Sequence, residues 1–266
     1  MIVHNFNPVL VDLGIFEIRW YSIAYILGII IGWIYAGKII KKAEQNKYNF
    51  EVIKKSDFDD LLIYLVIGII LGGRLGYIIF YNLDYYSQNF LEIFKIWQGG
   101  MSFHGGLLGI IVAIYIFTKN KNTSFFKFTD IVACVSPIGI FLGRIANFIN
   151  GELFGKVSTL PWAVIFPNGG DIARHPSQIY EAILEGVILF ILINFLALKK
   201  HLIIKSGYIS SFFLILYSIL RIFSENFREP DQHLGYLFNY FSMGTLLSFF
   251  TLIAGFLIIF FIKKNE

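Results

Sequence analysis

The chain contains little cysteine, proline or charge for its length. Its 266 residues include one cysteine and six prolines, and only 15% of them are Asp, Glu, Lys or Arg. The single cysteine, Cys134, excludes an intramolecular disulfide and a metal site built from cysteines. No HExxH motif, Cys/His ligand set, Walker loop or dinucleotide-binding glycine loop is found in the sequence. We therefore expect neither a metal nor a cofactor.

The abundant residues are apolar. Hydrophobic side chains make up 56% of the chain and aromatic ones 18%, whereas soluble domains are nearer 45–50% apolar. The net charge of +4 raises the question of nucleic acid, but the lysines stand in short blocks between apolar runs, as membrane topology requires. The composition predicts one integral-membrane domain over residues 1–266, with membrane lipids and not nucleic acid as its surroundings.

A membrane-spanning helix needs about 20 predominantly apolar residues. Seven runs approach or meet this length, and the third is short: 20–38, 60–82, 104–118, 131–149, 179–198, 207–225 and 241–262. We expect an all-α polytopic membrane protein with seven transmembrane helices.

The basic residues orient these spans, because cytoplasmic loops are enriched in Lys and Arg. With the N-terminus outside and the C-terminus in the cytoplasm, 14 loop cations fall inside and five outside. The long outer connections, 83–103 and 150–178, are expected to form a small extracytoplasmic cap. Residues 161–167, PWAVIFP, read as a short β segment within it.

Three arginines lie inside spans that run from the cytoplasm outwards. Arg74, Arg144 and Arg221 each follow the inner edge by about 13–14 residues, which is about 20 Å of a core about 30 Å thick. Independent snorkelling would explain any one of them. Three at one depth favour a shared cationic site in the outer half, and the planar fork of arginine suits phosphate, such as that of a lipid headgroup.

Polar neighbours accompany two of these arginines. The segment GRIANFINGELFG, residues 143–155, carries Arg144, Asn147, Asn150, Glu152 and Gly155. Arg221, Glu225 and Arg228 recur at helical spacing, so they line one face. Glu225 either orients Arg221 for a ligand or forms a structural ion pair with it.

Three further positions have both a functional and a structural interpretation. His104 lies between two glycine pairs and is a candidate general base, although a lone histidine is more often structural. Tyr21 begins the first span, where interfacial aromatic residues are common. Arg74 lies in GGRLG, where small residues admit either a ligand or a neighbouring helix.

Five segments together resemble the bacterial prolipoprotein diacylglyceryl transferase family, in the family's order. They are GGRLGYIIFYN (72–82), GGMSFHGGLLG (99–109), GRIANFINGELFG (143–155), RHPSQIYEA (174–182) and RIFSENFREPD (221–231), and RWY (19–21) resembles the family's entry to the first span. The departures are mild: Ala146 replaces an expected glycine, Phe154 a common tryptophan and Lys156 a frequent arginine. The last span carries no recognisable motif.

The resemblance implies transfer of the diacylglyceryl group of phosphatidylglycerol to the lipobox cysteine of prolipoproteins, in the bacterial inner membrane. A thioether forms and glycerol phosphate leaves, as the first step of lipoprotein maturation. The resemblance also implies that Arg144 and Arg221 contact the phosphate and that His104 is essential. The site would be lined by Tyr21, Asn147, Asn150, Glu152, Gly155, Glu225, Arg74 and Arg228. We hypothesise that His104 is the base, and Glu152 or an arginine-activated route are the alternatives.

Two alternatives use the same arginines. One is a polytopic transferase with another phospholipid or acceptor, and the other is an anion or lipid transporter. A transporter needs polar residues through both halves of the membrane, whereas the polar residues mapped here cluster in the outer half. The sequence therefore favours the transferase.

Overall fold

The protein is mainly helical, as its composition predicts. The computed structural model describes residues 2–14, 17–45, 53–96, 99–230 and 240–265, and helices account for 72% of the structure. Within these ranges, six helices are long and apolar enough to cross a membrane, and they overlap all the predicted spans except the third. At the third, the apolar helix His104–Asn120 is shorter.

The helices begin and end close to the charged residues that flank the apolar runs. In chain order they are α1 (Trp20–Glu44), α2 (Lys55–Tyr81), α3 (Leu83–Gln88), α4 (Phe103–Asn120), α5 (Phe125–Ile149), α6 (Ser177–Lys199), α7 (Tyr208–Glu225) and α8 (Met243–Asn265). Lysines occupy the last turns of α1, α4 and α8, where a cation stabilises the negative end of the helix dipole.

Helix α6 changes its winding along its length. It begins as an α-helix at Ser177–Glu181 and widens to a π-helix over Ala182–Ile188 and again over Phe195–Lys199. Such π turns are rare and occur often at functional sites. The first widening begins directly after Glu181, so it affects the position of the carboxylates on this helix.

Two small sheets depart from the all-α expectation. Strand β1 (Ile2–Val3) pairs in parallel with β4 (Val164–Ile165), which pairs antiparallel with β5 (Ala173–Arg174), and β2 (Val9–Asp12) pairs antiparallel with β3 (Glu17–Arg19). These segments are too short for helices, and pairing satisfies their backbone groups. The β segment predicted within residues 161–167 is confirmed by β4.

The chain forms two compact units, residues 1–47 with 130–266, and residues 48–129. In the first unit, the carboxylate of Asp130 accepts the backbone N–H groups of Gly207 (2.6 Å) and Ser210 (2.7 Å) at the start of α7. This buried carboxylate satisfies donors that a helix N-terminus leaves unpaired, so it fixes α7 against α5.

The second unit is built on a glycine seam between α2 and α4. The seam consists of Gly68, Gly72, Gly76, Gly105 and Gly109. A Cβ added at Gly72 would lie 2.8 Å from the Cα of Gly109 and closer still to the carbonyl oxygen of Gly105. The two backbones are therefore in direct contact, as in membrane helices that associate through small residues.

The seam leads to a stability prediction. Gly72→Ala should destabilise the protein by about 1–3 kcal/mol, because the added methyl group collides with backbone that cannot move aside as a side chain can. Thermal unfolding in detergent measures the effect. The matched control is Gly139→Ala on α5, where an added Cβ meets nothing within 4 Å. Equal melting temperatures for the two variants would contradict the seam.

Candidate active site

A buried carboxylate, that of Glu181, gathers three arginines. Its oxygens lie 2.9 Å from Nη1 of Arg144, 2.9 Å from Nη1 of Arg221 and 3.3 Å from Nη1 of Arg228. The arginines come from α5, from α7 and from the chain just after α7, and Glu181 comes from the first turn and a half of α6. One fully buried side chain thus joins three segments of the first unit.

A second carboxylate on the same face of α6 repeats this pattern. Glu185 lies 3.3 Å from Nη2 of Arg144 and 3.2 Å from Nη1 of Arg221, and it accepts the hydroxyl of Ser224 at 2.9 Å. Arg144 and Arg221 are therefore each shared between two glutamates. Sharing of this kind holds the planar guanidinium groups in fixed orientations.

The third carboxylate belongs to Glu225, one turn after Arg221 on α7. Glu225 Oε2 lies 2.6 Å from Nη2 of Arg221, and its Oε1 accepts the hydroxyl of Ser242 at 2.9 Å. Gly244 leaves room for this carboxylate, because a Cβ there would lie 2.8 Å from the carboxyl carbon. The pairing of Glu225 with Arg221, expected from their spacing, is confirmed.

We call these six side chains the ion network: Arg144, Arg221, Arg228, Glu181, Glu185 and Glu225. Their formal charges cancel, so the network is not the surplus of cations that the sequence suggests. The side chain of Arg144 is 18% exposed, twice the fraction of Arg221. Arg144 is therefore the arginine of the network with the most room to meet a ligand.

The segment GRIANFINGELFG turns sharply where α5 ends at Ile149. Gly151 has φ +65° and Leu153 φ +58°, a conformation that is uncommon for leucine. Oε1 of Glu152 accepts the side-chain amides of Asn147 (2.8 Å) and Asn150 (3.2 Å). The turn thus collects the three polar side chains that follow Arg144 in the sequence.

The start of α6 holds this turn by its backbone. Gln178 Nε2 donates to the carbonyl of Glu152 at 2.7 Å, and Ser177 Oγ donates to the carbonyl of Leu153 at 3.0 Å. Glu181 follows one turn later on the same helix. The segment RHPSQIYEA therefore positions both the turn and the centre of the ion network.

Gly155 lies between two neighbouring backbone segments. Its N–H donates to the carbonyl of His175 at 2.9 Å, and it forms an antiparallel bridge with Arg228. An added Cβ would lie 2.6 Å from Cβ of His175 and would also clash with the carbonyl of Phe227. The need for glycine here is accounted for by this packing; binding of substrate by Gly155 stays a prediction.

His175, just before α6, forms a small aromatic group with Tyr180 and Trp162. Nδ1 of its ring lies 3.2 Å from the hydroxyl of Tyr180, which also accepts Nε1–H of Trp162 at 2.7 Å. Partial burial, with the nearby charge of Lys156, lowers the pKa of the His175 imidazole. The lowered pKa favours the neutral form of this imidazole.

Arg74 has different partners from the other two arginines. It belongs to the second unit, where it is buried and donates to backbone carbonyls, among them those of Ile93 (2.9 Å), Glu92 (2.6 Å) and Gly99 (2.6 Å). The expected grouping of three arginines is thus observed only for Arg144 and Arg221. A depth along the helix does not fix the direction in which the side chain points.

Two other predicted site residues lie near the beginnings of helices. Tyr21 opens α1, and its hydroxyl accepts that of Tyr25 at 3.3 Å. His104 is itself exposed in the first turn of α4, which follows Ser102, whose side chain accepts the N–H of Gly105. Asp231, the last residue of the motif at 221–231, lies outside the described residues.

Two buried members of the ion network, Glu181 and Glu185, are not among the site residues expected from the sequence. A signal was available, because two carboxylates four residues apart in an apolar span are costly unless cations meet them. Arg144 and Arg221, expected at the same depth, were the cations to match with them.

The structure is that of a multi-pass membrane protein whose helices enclose charged side chains between apolar surfaces. Comparison with known proteins identifies the family. The model described as prolipoprotein diacylglyceryl transferase matches residues 8–261. The chain belongs to this family of membrane transferases.

Relatives match over almost the whole chain. A protein of Rickettsia canadensis is 46% identical over 255 residues, with 96% of each chain covered. A protein of Rickettsia bellii is 47% identical over 262 residues, which are 98% of this chain and 96% of the relative. One of Methylocella silvestris is 46% identical over 264 residues, covering 98% and 95%. Each is named phosphatidylglycerol–prolipoprotein diacylglyceryl transferase.

The ion network predicts a large effect from one neutral substitution. Glu181→Gln should cost about 3–5 kcal/mol of stability, because it leaves three arginines around an uncharged amide in a buried site. The control is Glu229→Gln, which removes a half-exposed partner of Arg174 and should cost less than about 1 kcal/mol. Unfolding in detergent compares the two. Similar losses would show that Glu181 is not the centre of the network.

Proposed function

We propose that this protein transfers the diacylglyceryl group of phosphatidylglycerol to the thiol of a lipobox cysteine in prolipoproteins, the first step of lipoprotein maturation. The observation that carries the proposal is the convergence of Arg144 and Arg221 on buried Glu181, which brings together three of the family motifs. The names of the relatives, which give a phosphatidylglycerol donor and a prolipoprotein acceptor, support it.

The arginines act on the phosphate that leaves. As the bond between the glycerol carbon and the phosphate oxygen breaks, negative charge grows on that oxygen. Arginine forks already held by Glu181 and Glu185 need little reorganisation to stabilise it, and the apolar surroundings strengthen the interaction. Arg144, the more exposed arginine, contacts the phosphate. Arg221 helps to hold the two glutamates that orient Arg144.

The acceptor thiol must lose its proton to become a nucleophile, since an ordinary thiol has a pKa near 8.5. His104 takes this proton. The thiolate sulfur then bonds to the glycerol carbon as the carbon–oxygen bond to phosphate breaks, and glycerol phosphate leaves with the bonding electrons. His104 is preferred to Glu152 because imidazole is the side chain that most often acts as a general base near neutral pH.

The remaining predicted residues complete the binding surface. Tyr21, Asn147, Asn150, Glu152 and Gly155 shape the side of the site that adjoins the turn after α5. Glu225 and Arg228 fix Arg221 and Glu181, and Arg74 is included only through its sequence motif.

The protein works from the outer face of the bacterial inner membrane. We take α4 as a further span, the third in chain order, which brings the number to seven. Its 18 residues extend about 27 Å, close to the thickness of the hydrocarbon core. Seven spans place the N-terminus outside and the C-terminus in the cytoplasm. The connections 83–103 and 150–178 then lie on the outer side with the ends of α5 and α7.

The central experiment supplies phosphatidylglycerol vesicles and a lipobox peptide, and detects the diacylglyceryl thioether by mass. Arg144→Lys should lower kcat by about 10²–10³-fold, because lysine cannot meet two carboxylates and a phosphate with one ammonium group. Arg19→Lys, at an exposed arginine paired with Glu17, is the matched control. Wild-type kcat in Arg144→Lys would contradict the role of Arg144; no thioether from the wild-type protein would refute the proposed function.

A second variant tests the base. His104→Asn should reduce transfer by about 10²–10⁴-fold, the usual contribution of a general base. The same assay is applied to His201→Asn, a control at a left-handed position (φ +56°) that asparagine accepts readily. If His104→Asn transferred at the wild-type rate, another group, with Glu152 first among them, would have to take the proton.

A further inference from the structure

The connection after α2 exposes large apolar side chains outside the long helices. We call residues 83–96 the collar segment; it comprises α3 and a short 3-10 helix, Phe90–Phe94. Leu91 is 76% exposed, Phe90 66% and Phe94 65%. An aqueous cap would present such side chains to water, at a cost that polar residues avoid.

The collar segment has two distinct faces. In a 3-10 helix, residues three apart share a face, which places Leu91 with Phe94 on one side and Glu92 with Lys95 on another. Glu92 and Lys95 form an ion pair at 2.5 Å and are only partly exposed. The apolar face is therefore the more exposed one. A segment that lies in water would instead expose its charged face and bury its apolar face.

Arg74 holds this segment from within the second unit. Its guanidinium donates to the carbonyls of Glu92, Ile93 and Lys95 in the segment and to those of Gly99 and Gly100 just beyond it. The ring of Tyr86, buried beneath, lies 5.0 Å from the guanidinium carbon. Five carbonyls on one arginine fix the backbone, so the apolar side chains cannot turn inwards without breaking these bonds.

The surface continues the exposed apolar side of α2. Ile79, Phe80 and Tyr81 end that helix and are all exposed, and Leu83 and Tyr85 follow at once. Because α2 is long and apolar enough to cross the membrane, the exposed apolar side chains on the side of α2 away from α4 face acyl chains. A surface continuous with this one has the same neighbours.

We propose that the collar segment lies in the membrane interface, with Phe90, Leu91 and Phe94 among the acyl chains and Arg74 as its anchor. Amphipathic segments of this kind bury their apolar face about 5–10 Å into the headgroup and acyl boundary. We assign the collar segment to the outer leaflet. Only this choice of leaflet rests on the orientation given under the proposed function. The 83–103 connection then contributes a lipid-embedded collar and not an aqueous cap.

Cysteine labelling tests the location directly, because the single native cysteine, buried Cys134, can be replaced by alanine. In that background, Leu91→Cys and Phe94→Cys are compared with Asp171→Cys, on an exposed polar loop, and Leu71→Cys, exposed midway along α2. A membrane-impermeant maleimide is applied to intact spheroplasts. Leu91→Cys and Phe94→Cys should react at least about tenfold more slowly than Asp171→Cys, because a thiol away from water does not ionise.

The outcomes separate the collar from the proposed function. Reaction of Leu91→Cys at the rate of Asp171→Cys would overturn the collar, whether or not the protein transfers lipid. Water-exposed labelling that a lipobox peptide then blocks would make the surface a peptide-docking site, which also contradicts the proposal. If Asp171→Cys reacts only in inside-out vesicles, the orientation is wrong, and the same comparison is made from that side. Denaturing detergent should make all four cysteines equally reactive.

The anchor has its own test. Arg74→Gln removes the fork that binds the carbonyls, so Leu91→Cys in that variant should react several-fold faster, while Leu71→Cys should not change. Equal labelling of Leu91→Cys with and without Arg74 would show that the segment stays in the interface without this anchor.

Discussion

The cost of placing charge among apolar side chains governs this structure. Three glutamates and two arginines are buried together, with Arg144 partly buried beside them, and each charge is stabilised only while its partners stay in place. Glu181 is the common member, since it contacts arginines from α5, from α7 and from the chain after α7. A shift of any of these segments would leave an unpaired charge, so the ion network determines how they are arranged even if it adds little net stability.

A neutral network suits a reaction in which charge moves. A free cluster of arginines would repel itself in a medium of low dielectric and would bind any anion strongly before and after the reaction. Arginines already paired with carboxylates bind the starting phosphodiester less tightly. They can still respond when its leaving oxygen gains charge, because the guanidinium groups are oriented beforehand. If the protein has the proposed function, the glutamates therefore weaken the attraction between the arginines and the phosphodiester in the ground state, which favours the transition state.

The sequence predicts the helices well and the directions of their side chains poorly. An apolar run of about 20 residues is the direct consequence of bilayer thickness, so the spans are readable one by one. The depth of Arg144 and Arg221 follows from the same counting. The depth of a residue along its helix does not determine the direction in which its side chain points around the helix axis. For this reason the sequence groups Arg74 with Arg144 and Arg221, although its partners are different. Glu181 and Glu185 lie in or beside an apolar run, and the partners that make them part of the site become visible only when the helices are packed together.

The two units solve the problem of packing helices in lipid by different means. Between α2 and α4 the helices meet through glycine backbones, which requires no charge and leaves few side chains for chemistry along that seam. In the other unit, α5, α6 and α7 meet through the ion network, where α6 widens to a π-helix that begins after Glu181 and contains Glu185. Close packing by glycine tolerates no added atom, whereas an ion network tolerates no lost charge. The second arrangement is the one that can respond to an anionic substrate, because its contacts are electrostatic.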